Sequence, residues 1–203
     1  MSAKRWVLAA RPDGLPKPSD FRAEMLDLPP LKDGEALIRI SHASVDPGMR
    51  GRLTGDSYAP ALGLGETVES AGIGEVVTSR TAKLPEGALV TGGFGWTTHA
   101  ISDGRGVQML DPSVFGGRVR PTAAIGVMGV PGLTAYFGLS DLGQPKGGET
   151  LLVSSAAGPV GATALQIGRL LGLKTIGIAG GGAKRNYVLD EIRADACIDY
   201  KAQ

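Results

Sequence analysis

Cysteine is almost absent from this 203-residue chain, with one residue, and histidine is scarce, with two; aromatic side chains make up 5%. A lone Cys197 cannot close an internal disulfide. With two distant histidines, His42 and His99, it also falls short of the roughly four N or S ligands of a structural zinc site. No metal is therefore expected, and a reducing, cytoplasmic setting is. An excess of one charge is missing too: 21 Lys+Arg face 20 Asp+Glu, a net of +1. That balance offers no footprint for a nucleic-acid phosphate backbone and no acidic tail or membrane-surface segment. Long apolar runs are also lacking. The stretch 6–10 after Lys4-Arg5 stops at Arg11-Pro12, shorter than a signal-peptide core or a membrane span, so a soluble, unprocessed chain is expected.

Glycine, by contrast, is abundant, at 32 residues beside 13 prolines. The glycines follow no collagen period and separate apolar β-branched runs, which points to turn-rich β structure and not to disorder. Over residues 1–120, short strand candidates at 36–40, 74–77 and 88–90 are bounded by Gly, Pro or Asp. Loops are expected at 46–50 and 91–95, and the region reads as a β-rich domain, barrel-like or sandwich-like.

Over residues 121–203 the pattern changes. Apolar residues at 123–128 and 133–139 have helical spacing and predict a linking helix. The apolar run 150–155 ends in Ser154-Ser155 and reads as a buried parallel strand. Val160, Ala164, Ile167 and Leu171 then recur at 4, 3 and 4, one face of a helix over 159–172 with Pro159 in its first turn. A strand at 174–179, a helix at 183–193 and a strand at 196–200 complete βαβαβ, the first half of a doubly wound dinucleotide-binding sheet.

Chemistry concentrates between the first of these strands and its helix. Ala156-Ala157-Gly158-Pro159-Val160-Gly161 is a G-x-G-x-x-G with alanine in the first slot, and it follows a strand and opens a helix. Gly158 would let the backbone approach a pyrophosphate, Gly161 would let helix and strand pack closely, and the amides at the helix start would face the anion. NAD sites generally carry an acid about 20 residues further on. Here the end of the second strand reads Ala179-Gly180-Gly181-Gly182-Ala183-Lys184-Arg185, with no acid and two cations, which favours a 2′-phosphate and hence NADP(H).

Other residues have plainer readings. His42 and His99 lack partners at motif spacing and read as surface or hydrogen-bonded histidines. Cys197 reads as a small core residue, Trp6 and Trp96 as packing residues, and Ser154 and Ser155 as serving the cofactor or backbone rather than as nucleophiles. Arg50 and Arg52 read as solvated loop charges, with a carboxylate-orienting role for substrate as the alternative.

Several ordered blocks carry a family resemblance: Arg5-Trp6-Val7-Leu8-Ala9, Ser44-Val45-Asp46-Pro47, Met49-Arg50-Gly51-Arg52, Pro131-Gly132-Leu133-Thr134-Ala135-Tyr136-Phe137-Gly138, the Ala-Ala-Gly-x-Val-Gly turn and Ile198-Asp199-Tyr200-Lys201. Together they resemble the zinc-independent medium-chain dehydrogenase/reductase superfamily, in the group of leukotriene B4 12-hydroxydehydrogenase, 15-oxoprostaglandin 13-reductase and curcumin reductase. The resemblance implies a GroES-like, partly open barrel followed by a Rossmann half-domain, and a homodimer. It implies reduction by NADPH of the C=C bond of a small α,β-unsaturated ketone or aldehyde, with hydride passing to the β-carbon and the enolate held by hydrogen-bond donors. It further implies a cofactor site of Met128, Thr134, Ala157, Gly158, Pro159, Val160, Gly180, Gly181, Lys184 and Tyr200, with Lys184 on the 2′-phosphate, Tyr200 by the adenosine, and Met128 and Thr134 on the nicotinamide side.

The sequence departs from that family twice. Gly48 stands where the family usually has tyrosine, and the chain stops just after the third strand of the dinucleotide fold. An incomplete form is expected, with an open edge on the strand at 151–154, weak NADPH binding and poor enone reduction alone. The rival expectation is a non-catalytic dinucleotide-binding or interaction remnant.

Overall fold

The computed structural model describes residues 1–55 and 59–202. They form two compact units, Met1–Thr122 and Ala123–Gln203.

In the first unit, β1 (Ser2–Leu8) pairs antiparallel with β2 (Phe21–Asp27), Ser2 opposite Asp27 and Leu8 opposite Phe21. The strands β3 (Ala36–Ala43), β4 (Gly72–Ser79), β5 (Leu89–Gly92), β6 (His99–Ser102) and β7 (Val107–Met109) build an antiparallel sheet in the order β6-β3-β4-β5-β7. Register shifts at Leu37/Ile38 and Ile40/His42 break the β3–β4 ladder, as bulges that bend and twist a strand do. Trp6 bridges the open side: its N–H donates to the Trp96 carbonyl at 2.9 Å, and its own carbonyl accepts from Val68 N–H at 2.9 Å. The result is a curled, partly open barrel of the GroES-like kind. Ala36, Ile38, Val76, Leu84 and Val90 fill one core and Leu8, Leu53, Leu62 and Val68 another, with Phe21, Met49 and Trp96 packed on the second.

One segment expected as a loop is a helix. α1 (Pro47–Thr54) begins at Pro47, where a missing N–H costs nothing, and ends at Gly55 in the left-handed region, φ 96°. The Asp46 amide donates to Met49 Sδ at 3.2 Å, and the Ser44 hydroxyl donates to Asp46 Oδ2 at 2.6 Å, so the residues before the helix are tied down.

In the second unit the apolar stretch at 123–128 is not a continuous helix. A short 3₁₀ turn spans Pro121–Ile125, Gly126 and Gly129 follow it, and α2 starts only at Val130 (Val130–Phe137). β8 (Thr150–Val153), α3 (Pro159–Leu170), β9 (Lys174–Ala179), α4 (Gly182–Asn186) and β10 (Ala196–Asp199) follow. The three strands are parallel in the order β10-β9-β8, the start of a Rossmann-like sheet. Ala156, Ala162, Leu165, Ala179, Val188, Ile192 and Ala194 form its core, while Ala135, Leu139 and Ala164 join α2 to α3.

Three details differ from the sequence reading. The helix expected over 183–193 is α4 plus a wider π-helical turn at Tyr187–Glu191, which keeps Val188 and Ile192 in the core. The third strand ends at Asp199, leaving Tyr200 outside the ladder. Leu152, expected in a strand buried on both faces, is 56% exposed, because the pleat turns Leu151 and Val153 toward α2 and α3 and Leu152 away.

Candidate functional site

β8 and β9 end side by side, and the turns that follow them enclose a cavity of about 380 Å³. It is lined by Ser154, Ser155, Ala157, Gly158, Ile178, Ala179, Gly180, Lys184 and Tyr200. This is the crevice at the carboxyl ends of parallel strands where open α/β sheets bind ligands.

Its floor is the turn from β8 into α3. Ser155 stands in the left-handed region, φ 50°, and its carbonyl accepts from Gly158 N–H at 2.8 Å, which folds the turn tightly. A β-carbon on Gly161 would lie 2.5 Å from that same carbonyl oxygen, so the helix can approach the turn only with glycine there. The first intrahelical amide to find its carbonyl is Ala162 N–H, which donates to Gly158 at 2.8 Å. The amides of Val160 and Gly161 precede it in the first turn and belong to the orphan donors of a helix start, suited to an anion.

The opposite wall is the turn from β9 into α4. Gly180 lies beneath the Tyr200 ring. Gly181, φ 95°, donates its N–H to Asp199 Oδ1 at 2.8 Å, and its carbonyl accepts from the Lys184 and Arg185 amides, each at 3.1 Å. Asp199 Oδ1 also accepts from Lys201 N–H at 3.0 Å. These two amides, aided by the charges of Arg185 and Lys201, hold the Asp199 carboxyl below the usual carboxylate range. Burial pushes the nearby Cys197 thiol up, so it stays a neutral packing group.

Of the residues singled out in the sequence, the fold brings Ala157, Gly158, Gly180, Lys184 and Tyr200 together around this cavity. Pro159 and Val160 form the first turn of α3, and Gly181 anchors the opposite wall from behind. Met128 and Thr134 lie outside the lining; Met128 is exposed, and the Thr134 hydroxyl donates to the Val130 carbonyl at 2.7 Å within α2. Arg50 and Arg52 sit on α1 in the first unit with protein partners. Arg50 Nη2 donates to the Gly14 carbonyl at 3.2 Å, and Arg52 donates Nε–H to the Pro60 carbonyl at 3.0 Å and pairs through Nη1 with Glu69. Asp199 is a residue of this site that sequence reasoning missed, because its bond to Gly181 depends on the pairing of β10 with β9.

A family profile described as the N-terminal domain of oxidoreductase matches residues 4–110. The chain is 41% identical over 200 residues to the NADPH-dependent curcumin reductase of Escherichia coli, covering 98% of itself and 57% of that enzyme. It is 40% identical over 201 residues to prostaglandin reductase 1 of Rattus norvegicus, covering 99% of itself and 59% of that enzyme. Among solved structures, CurA from Vibrio vulnificus in complex with NADPH superposes with a TM-score of 0.89 at 42% identity, over 98% of this chain and 58% of that one. The chain thus spans less than two thirds of the length of these relatives.

Proposed function

We propose a function from one premise: the chain belongs to the medium-chain dehydrogenase/reductase family of oxidoreductases. Its second unit binds NADP(H), and its reaction is the reduction of the C=C bond of a small α,β-unsaturated ketone or aldehyde. The observation that carries this reading is the cavity itself. Two glycine turns at the carboxyl ends of adjacent parallel strands face each other across about 380 Å³, with Lys184 and Tyr200 on one side. NADPH supplies the hydride when bound.

The chain's own residues bind and orient. The turn at Ala157-Gly158 and the first-turn amides of α3 suit the diphosphate, since N–H groups and the positive end of a 12-residue helix converge there. Lys184 takes the 2′-phosphate, where a carboxylate would repel it. Tyr200, 60% exposed and lying over Gly180, borders the adenosine end. Thr134 and Met128 of the same unit are assigned to the nicotinamide side. The names of the relatives, curcumin reductase and prostaglandin reductase, support an enone as substrate. The shortage of Cys and His supports chemistry that draws no zinc ligands from this chain and a cytoplasmic, reducing setting, and the family supports a homodimer.

Lys184→Ala tests the assignment. NADPH affinity should fall by about 1.5–3 kcal/mol, the range for a hydrogen bond to a charged group, while NADH affinity stays nearly unchanged. Equal losses for both coenzymes would refute the 2′-phosphate role. Absence of NADPH consumption with α,β-unsaturated ketones and aldehydes would refute the reaction.

A further inference from the structure

The carboxylate of Asp199 closes β10, one strand beyond the β9 end at which an NAD site carries its ribose-binding acid, and it is not among the residues lining the cavity. Its Oδ1 is committed to two main-chain amides, Gly181 N–H at 2.8 Å and Lys201 N–H at 3.0 Å. Those amides belong to the two segments that frame the 2′-phosphate end of the site. On one side, the Gly181 peptide is the root of α4, since its carbonyl accepts from the Lys184 and Arg185 amides at 3.1 Å each. On the other, Lys201 follows Tyr200, whose ring overlies Gly180. A single oxygen atom therefore ties the backbone that carries Lys184 to the backbone that carries Tyr200.

That tie matters because of what the turn is made of. Gly180-Gly181-Gly182 has no β-carbon to restrict it, and Gly181 stands at φ 95°. Three glycines in a row have the largest backbone entropy to lose, so a turn of this kind holds one shape only where an outside group fixes it. The Gly181 and Lys201 amides, aided by the charges of Arg185 and Lys201, keep the carboxyl ionised, and so it remains an acceptor.

We propose that Asp199 is a positioning residue for coenzyme selection, which by accepting from the Gly181 and Lys201 amides holds Lys184 on the 2′-phosphate of NADP(H) and Tyr200 beside the adenosine that carries it. The proposal rests on the NADP(H) reading above. It assigns the carboxylate a role opposite to that of the ribose-binding acid of an NAD site: it secures preference for the phosphorylated coenzyme.

The test compares dissociation constants for NADPH and NADH in wild type, Asp199→Ala, Asp199→Asn and Asp199→Glu, using the whole chain. Asp199→Ala should lower the NADPH-over-NADH preference by about tenfold or more, in line with the loss of hydrogen bonds to a charged acceptor. Asp199→Asn keeps an oxygen at the Oδ1 position and should retain the preference to within about threefold. Asp199→Glu keeps the charge but displaces the acceptor by one methylene, and should behave like Asp199→Ala; it also decides the question if the alanine variant does not fold. An unchanged ratio in Asp199→Glu or Asp199→Ala, a loss shared equally by both coenzymes, or an asparagine variant as impaired as alanine overturns the proposal while leaving the NADP(H) site intact. A wild-type chain with no preference for NADPH, or one whose preference survives Lys184→Ala, removes the underlying reading and this inference with it.

Discussion

The ring of Tyr200 occupies the space a side chain at position 180 would need: Cζ lies 2.6 Å and Oη 2.7 Å from where a β-carbon on Gly180 would stand. Tyr200 is 60% exposed, so its ring can swing away at small cost. Gly180→Ala should therefore change stability by less than about 1 kcal/mol, the usual scale for a surface substitution, while displacing the wall of the cavity. NADPH and NADH should both bind more weakly, because the adenosine end is common to them. Thermal unfolding and coenzyme titration of the one variant check both halves, and a large drop in melting temperature would show the ring to be fixed.

Gly161 predicts the reverse pattern. A β-carbon there would lie 2.5 Å from the Ser155 carbonyl oxygen and 2.9 Å from Ala156 Cα, and both are backbone atoms in a tight turn. Alanine gains about 0.8–1.0 kcal/mol of helix propensity over glycine. Overpacking against backbone costs about 1–3 kcal/mol, and the larger effect should win. Gly161→Ala should thus lower the chemical-denaturation midpoint and open the turn from β8 into α3 together. A variant as stable as wild type would mean that α3 can move off the turn freely.

How much of this was legible before folding follows from what kind of contact each feature depends on. β9, Lys174–Ala179, coincides with its predicted span, because a β-branched run between two glycine-bearing turns has one local solution. The turn at Gly158 and Gly161 was legible for the same reason: glycines at that spacing between a strand and a helix fold into a tight turn. α1 was not, since only Met49 and Leu53 of its eight residues pack inward, too few to make a helical stripe beside Pro47 and two glycines. Asp199 was illegible on different grounds. Its bond to Gly181 joins residues 18 apart across two parallel strands, and that register exists only once β10 has paired with β9. Likewise the Arg52–Glu69 pair, which occupies a cation otherwise read as free, depends on α1 being a helix.

Thr175 and Asp195 form a second carboxylate–backbone link, this one structural. Thr175 is fully buried in β9, and both its N–H, at 2.6 Å, and its hydroxyl, at 2.9 Å, donate to Asp195 Oδ2, while Asp195 N–H donates back to Thr175 Oγ1 at 3.2 Å. Thr175→Val retains the volume and removes the hydroxyl, and should cost about 1–3 kcal/mol because the Asp195 amide loses its acceptor. The Thr175 amide, then its hydroxyl, hold the Asp195 carboxyl below the ordinary range. A carboxyl depressed in the folded state contributes stability that is present above its unfolded value, about 3.9, and is lost as pH falls through its folded value. Valine takes away one of the donors that depress it, so the deficit of the variant should be largest near neutral pH and shrink as pH drops below about 4. Urea midpoints of wild type and Thr175→Val at pH 7 and pH 3 decide this: a deficit that does not change with pH would mean that the hydroxyl serves the Asp195 amide alone and leaves the carboxylate's titration untouched.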